Sequence, residues 1–354
     1  MRLGVARTLL DDGRLVGGDV RIADGRIAAV GLHPPGRAGV AAPGFVDLQV
    51  NGFAGVDVAA AGPGDLDALG RALARHGVTA FAPTLISAPE ADVVRALGAI
   101  AQAGTTAGGI RLLGAHLEGP FLSPAWPGAH DPAHLRAPDR ALLDRLLAAG
   151  PVALMTLAPE LAGAGELIDE LGDRALIGHT DADAATCAAA FARGARGLTH
   201  ALNAHRRLLA RDPGPAGAAL AAEDAFVCAI GDGVHVAPEA LGVLWRAAGP
   251  RLCLVSDAVA VGTGGRERSG GAARLADGTL AGSVVALDDC VRTLVACGAP
   301  LELALHAAAT APARLAGRGD LGRLAVGTPA DVVVLDDDLR VVRTLVGGVE
   351  LSAP

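Results

Sequence analysis

The 354-residue chain contains no lysine and no tyrosine, and all 30 of its basic residues are arginine. Without lysine there is no Schiff-base chemistry, no phosphate loop built on a lysine, and no two-metal site bridged by a carbamylated lysine. Without tyrosine no phenol can serve as a proton donor. Cysteine is scarce and unpatterned: five residues, at 187, 228, 253, 290 and 297, with no CxxC pair. Reduced thiols and a cytoplasmic location are therefore expected. No run of about 18 apolar residues escapes a charge or a Gly/Pro break, so no membrane span is expected. The N-terminus reaches Asp11 and Asp12 before a signal-peptide core could form. A net charge of −8 with no basic block argues against nucleic acid as a partner.

What the chain does have is alternation. From Ala42 onward, apolar strand-like runs take turns with helical stretches. The runs are Gly44–Val50, Val78–Leu85, Ile110–Leu117, Val152–Leu157, Ala175–Gly178, Gly197–Leu202, Ala225–Ile230 and Leu252–Val255. Helices are expected between them, several ending at a glycine such as Gly77, Gly150 or Gly172. Apolar strands buried on both faces imply a parallel sheet. Eight such units imply an α/β fold, a TIM-like (β/α)8 barrel over residues 43–317. An open doubly wound sheet is the rival, but no G-x-G-x-x-G follows the first strand. Two further helices are expected at Ser283–Gly298 and Leu301–Leu315. Residues 1–42 carry hairpin signals at Asp12-Gly13 and Asp24-Gly25. Residues 318–354 return to short strands, Ala330–Leu335 and Arg340–Val346, around the turn at 336–338. The two chain ends are expected to pair into one small β-sandwich domain, with the barrel inserted between them.

In such a barrel, chemistry sits where strands end. The stretch Arg174–Ala204 is the most informative: two apolar runs end in His179 and His200, flanking an Ala-rich helix that Asp181 and Asp183 suit at its start. Successive parallel strands lie side by side, so the two imidazoles can meet and begin a divalent metal site. Other strand ends supply Asp47, Gln49 and Asn51, then His116 and Glu118, then Asn203, His235 and Asp257. Two imidazoles and one carboxylate make a suitable ligand set, assigning Glu118, His179 and His200 to the metal. Asp257 is the candidate proton carrier. His130, in the loop PAWPGAHDP, and His235 are candidates for binding substrate oxygen or polarising a carbonyl. His33, His76 and His306 lie outside any strand end and read as structural.

These pieces together resemble the amidohydrolase superfamily, and specifically its N-acetylglucosamine-6-phosphate deacetylases. The matching segments are PGFVDLQVNG (43–52), GVTAFAPTLIS (77–87), GAHLEGPFLSP (114–124), GAHDP (128–132), TLAPE (156–160), IGHTDA (177–182), THALNA (199–204), RDPG (211–214), GDGVHV (231–236), LVSDAV (254–259), DGTLAGS (277–283) and the tail GRLAVGTPADVVVLD (322–336). The resemblance implies hydrolysis of the N-acetyl amide of a phosphorylated amino sugar. It implies one divalent metal ion per subunit on Glu118, His179 and His200, zinc first, with iron, manganese or cobalt also suited. It makes Asp257 the general base and acid. Asn203 and the backbone of Ala204 would take the phosphate. His130, His235, Ala129, Leu280 and Ser283 would complete the substrate site. Arg211 would reach the phosphate site of a neighbouring subunit, implying a homodimer. Gln49 and Asn51 stand where many superfamily members carry the His-x-His of a second metal; amides are poor zinc ligands, so a single metal is expected. The sequence departs from the family at Leu202, His205 and Ala281, all on the sugar-facing side. An N-acetylgalactosamine 6-phosphate deacetylase, an amidase for another small molecule, and a non-catalytic sugar-phosphate binder are the alternatives.

Overall fold

The computed structural model describes residues 1–352. All eight expected strands are present, parallel, and paired in chain order, the sixth shortened from Gly197–Leu202 to Gly197–Leu198. They begin with Phe45–Val50 and Val78–Ile86 and end with Phe226–Ile230 and Leu252–Val255. Their residues alternate between two buried environments. Val46, Leu48, Ala80, Ala82, Cys228, Ile230, Cys253 and Val255 pack into one cluster. Phe45, Phe81, Val227, Ala229, Leu252 and Leu254 pack into the other, with the helices. A strand apolar on both faces is thus satisfied on both sides. Three residues past the eighth strand, Ala258 forms an isolated parallel bridge with Val50 of the first. There the Asn51 N–H donates to the Ala258 carbonyl at 2.8 Å.

Helices follow the strands as read, with shifts at their starts. Asp183 caps Ala184–Ala192 by accepting from the Thr186 N–H at 2.8 Å. Asp181, by contrast, accepts from the Trp126 indole at 2.8 Å. Gly172, at φ +56°, ends Ala164–Leu171, in the left-handed region where a Cβ is costly.

Three expectations need correction. The third run is split into Ile110–Leu112 and Ala115–Glu118, because Gly114 sits at φ +103° and breaks the extended backbone. No helix starts at Ser283: that residue ends the strand Leu280–Ser283, its N–H donating to the Asp257 carbonyl at 2.8 Å, and the helix begins at Leu287. The expected single helix at 301–315 is two, Leu301–Ala308 and Thr310–Leu315. Pro312 explains the break, since it has no N–H to give and its ring would meet the Ala308 carbonyl in a continuous helix.

The chain ends pair. A six-stranded sheet runs Leu15–Gly17, Val5–Leu9, Ala38–Pro43, Val332–Leu335, Val341–Val346, Val349–Ser352. Ala42 stands opposite Val333 in the antiparallel pair that joins N- and C-terminal segments. The hairpin Asp19–Ala23 and Arg26–Leu32 turns at Asp24-Gly25, both at positive φ, as the Asp-Gly signal requires. Its Val20, Ile22 and Ile27 pack on Val5, Ala41, Val332 and Leu345 of the sheet. A three-stranded excursion, Glu267–Ser269, Ala272–Arg274 and Leu280–Ser283, lies between the eighth strand and the next helix. Among the described residues no helix is long and apolar enough to cross a membrane, and all five cysteines are unpaired.

Candidate active site

Glu118 is the last residue of its strand, while His179 and His200 each lie two residues beyond theirs. Both histidines have positive φ, +47° and +28°, a conformation that turns the chain sharply as it leaves the sheet. The three side chains converge. Nε2 of His200 is 2.7 Å and Nε2 of His179 is 3.2 Å from Glu118 Oε1, and the two Nε2 atoms are 3.2 Å apart. Nitrogen and oxygen ligands at zinc distances in a tetrahedral arrangement would be separated by about 3.3 Å. The donor set therefore fits a single divalent cation. The His179 Nδ1–H donates to the Trp126 carbonyl at 2.9 Å, which fixes the tautomer and leaves the Nε2 lone pair facing its neighbours. Nδ1 of His200 is buried with no partner. Gln49 donates its side-chain N–H to Glu118 Oε1 at 3.0 Å.

Charge is concentrated here. Burial works against the Glu118 carboxylate, but His179 and His200 hold it well below its usual range. Burial likewise disfavours a charged His200, and the bond to Glu118 overrides it, pushing the imidazole up to about 9.

Asp257 lies two residues after the eighth strand, at φ +47°. It accepts from the Asn51 side-chain N–H at 2.7 Å on Oδ1. Burial first, and the Glu118 charge second, push its carboxyl up to about 7. His130 is buried; its Nδ1 accepts from the Ser87 backbone N–H at 3.2 Å and stands 3.0 Å from the Ser87 hydroxyl. Its Nε2 lies 3.9 Å from Glu118 Oε2. Burial, reinforced by His179, pushes this imidazole down to about 3, so it is neutral and carries its proton on Nε2. His235 is oriented by Asp232, whose Oδ2 is 2.7 Å from His235 Nδ1 and whose Oδ1 takes the Val234 and His235 N–H groups.

One cavity of about 290 Å³ gathers most of the expected residues: Glu118, His179, His200, Asp257, Asn51, Ala129, His130, Asn203, Ala204, His235 and Leu280 all line it. Three do not. Gln49 is buried behind Glu118. Ser283 is buried, its backbone joined to Asp257 and Val259. Arg211 is exposed and outside the cavity of its own chain. His116 also stays away from the cluster, bonded to the Leu48 carbonyl at 2.9 Å and the Thr156 hydroxyl at 2.8 Å. Trp126 and Arg266 line the cavity without having been anticipated. Arg266, ion-paired with Asp57 at 3.1 Å, comes from the Gly-rich excursion, which carries no periodic signal. Ser87 was visible only as the last residue of the segment 77–87.

The amidohydrolase family model matches residues 40–351. The chain belongs to the amidohydrolase family. Within this family it is similar to the N-acetylgalactosamine-6-phosphate deacetylase of Escherichia coli O157:H7, at 38% identity over 98% of each chain. It is also 38% identical to the human N-acetylglucosamine-6-phosphate deacetylase, over 96% of this chain and 88% of that one. A mutant of the N-acetyl-D-glucosamine-6-phosphate deacetylase from Mycobacterium smegmatis, solved in complex with N-acetyl-D-glucosamine-6-phosphate, superposes with a TM-score of 0.91. The identity is 35%, over 100% of this chain and 99% of that one. The resemblance read from the sequence is borne out, and Glu118, His179 and His200 form a group that could hold a metal ion.

Proposed function

We propose that this amidohydrolase removes the N-acetyl group of N-acetyl-D-glucosamine 6-phosphate by hydrolysis, giving D-glucosamine 6-phosphate and acetate. The observation that carries this reading is the meeting of Glu118, His179 and His200 in a cavity that also holds Asp257. When bound by those three residues, a divalent cation, zinc by the ligand types, supplies Lewis acidity and makes a neighbouring water more acidic. The rest falls to the chain. Asp257 takes the proton of the attacking water and delivers it to the amide nitrogen as the C–N bond breaks. His130, neutral with Nε2–H free, donates to the oxyanion that develops on the acetyl carbonyl. His235, held by Asp232, and Asn203 with Ala204 bind the sugar and its phosphate. Ala129 and Leu280 pack against the sugar. Arg211, exposed outside its own cavity, serves the cavity of a second copy in a homodimer, and the five unpaired thiols support a cytoplasmic protein.

We also read the eight parallel strands as a closed (β/α)8 barrel spanning 43–317. The Val50–Ala258 bridge supports closure, and the sheet joining both chain ends supports a separate small β domain. A second substrate, N-acetylgalactosamine 6-phosphate, is favoured by the full-length similarity to the E. coli O157:H7 deacetylase.

Acetate release from the two phosphorylated sugars and from unphosphorylated N-acetylglucosamine tests the reading, alongside metal analysis of the purified protein. Turnover of the glucosamine derivative well above the other two, with one divalent ion per chain, is expected. Preference for the galactosamine derivative would select the second substrate, and no acetate from any of the three would overturn both.

A further inference from the structure

Asn51 is tied to the Asp257–Ala258 segment in two ways. Its backbone N–H, with that of Gly52, donates to the carbonyl of Ala258, the residue after Asp257, at 2.8 and 3.0 Å. Its side-chain N–H donates to Asp257 Oδ1 at 2.7 Å. Both side chains are buried, at 6% and 9% exposure. The side-chain amide and the carboxyl are therefore fixed to one another by the same strand junction. A flipped amide would set two oxygens 2.7 Å apart, so the donor side faces Asp257 whenever the carboxyl is ionised. Among the described residues the Asn51 Oδ1 atom has no partner, and none competes for the orientation of this amide.

The Asp257 backbone adds a reason for such a clamp. It sits at φ +47°, where a non-glycine residue is strained. The Ser283 N–H donates to its carbonyl, and the Ala258 N–H donates to the Ser256 hydroxyl at 3.2 Å. These bonds hold the main chain but leave the side chain free to rotate about its own bonds. Asn51 supplies the bond that does not.

We propose that Asn51 is a positioning residue that immobilises Asp257 through Oδ1 and so leaves Oδ2 as the oxygen that moves the proton. The inference rests on the deacetylase reading. A carboxylate rotated away from the attacking water loses the near-attack geometry on which proton transfer depends; the Asn51 amide nitrogen is committed to Asp257, and an amide is a poor ligand for zinc.

The test is a mutant cycle between Asn51→Ala and Asp257→Asn, with Asn51→Asp as a partner of unchanged volume. For Asn51→Ala, kcat for acetate release is expected to fall by about 10- to 100-fold, with KM within about threefold and the divalent-ion content of wild type. Asn51→Asp, which sets a second carboxylate against Asp257, is expected to be slower than Asn51→Ala. In the Asp257→Asn background, Asn51→Ala is expected to cost nothing further, because the group it positions is already disabled. An unchanged kcat in Asn51→Ala overturns the proposal. So does an equal fractional loss in both backgrounds, which would mark a general structural role, or a loss of metal in step with rate. Should Asn51→Ala not fold, Asn51→Asp decides alone: wild-type kcat overturns the proposal, and a lowered kcat with normal KM and metal content supports it. Wild-type protein that releases no acetate would instead count against the deacetylase reading itself.

Discussion

The strand-end rim and the six-stranded sheet share one chain but treat the backbone in opposite ways. Among the described residues, eight non-glycine residues have positive φ. Asp24, Ala54 and Leu339 lie in tight turns, where the chain must reverse. The other five, His179, His200, Leu202, Ala204 and Asp257, lie at the rim, where no hairpin demands it. Each such residue stores about 1–3 kcal/mol. The strands of the sheet hold none, and Val332, Val333 and Leu345 are wholly buried in ordinary pairing. The difference separates two tasks: the sheet contributes stability that the rim draws on to keep His179, His200 and Asp257 aimed into the cavity.

The sharpest way to break this comparison is to strip the rim of its cation. Chelation is expected to abolish acetate release and readdition of zinc to restore it, while far-ultraviolet circular dichroism stays unchanged; persistent turnover after complete metal removal would refute the role of Glu118, His179 and His200. Next in size is Asp257→Asn, expected to lower kcat by ~10²-fold or more at unchanged metal content. The sheet should answer in the opposite manner. Leu345→Ala removes a fully buried side chain and is expected to cost about 2–5 kcal/mol in denaturant unfolding, with kcat near wild type at 25 °C. A large loss of kcat in the folded variant would show that the two regions are coupled.

Much of this contrast was legible in the residues. The eight strands could be read because each is a mostly apolar run between helical stretches, and Glu118, His179, His200 and Asp257 because each lies at the same end of such a run. Paired chain ends followed from Asp-Gly turns and short strands at both termini. Other features had no local signature. The split at Gly114 and the helix break before Pro312 depend on one residue within a favourable run. Ser283 looks like a helix start until its N–H is committed to Asp257. The bonds from Gln49 to Glu118 and from Asn51 to Asp257 join positions 69 and 206 residues apart, and only the strand order brings them together. Arg266 sits in a Gly-rich stretch and meets Asp57, 209 residues away, only in the folded chain.

Asp47 offers the smallest effect and a finer test, because it resembles the rim in being buried and polar yet lies inside a strand, without positive φ. Its Oδ1 accepts the Ser256 and Gln49 backbone N–H groups at 3.2 and 3.3 Å, and its Oδ2 has no partner. Burial raises its carboxyl to about 6 from an ordinary 3.8, against the opposing pull of Ser256. A raised value means the folded protein favours the protonated form. That contribution is complete below pH 4 and is lost as pH rises through about 6, leaving a buried charge at neutral pH. Asp47→Asn keeps an oxygen for the two N–H groups and carries no charge. Relative to the variant, wild type is expected to lose about 1–3 kcal/mol of unfolding free energy between pH 4 and pH 7. Subtracting the two pH–stability curves removes the other titrating groups. A difference that is flat over this interval would mean that Asp47 ionises in the folded protein as easily as in the unfolded chain, and that the cost of unpartnered polarity is confined to the rim.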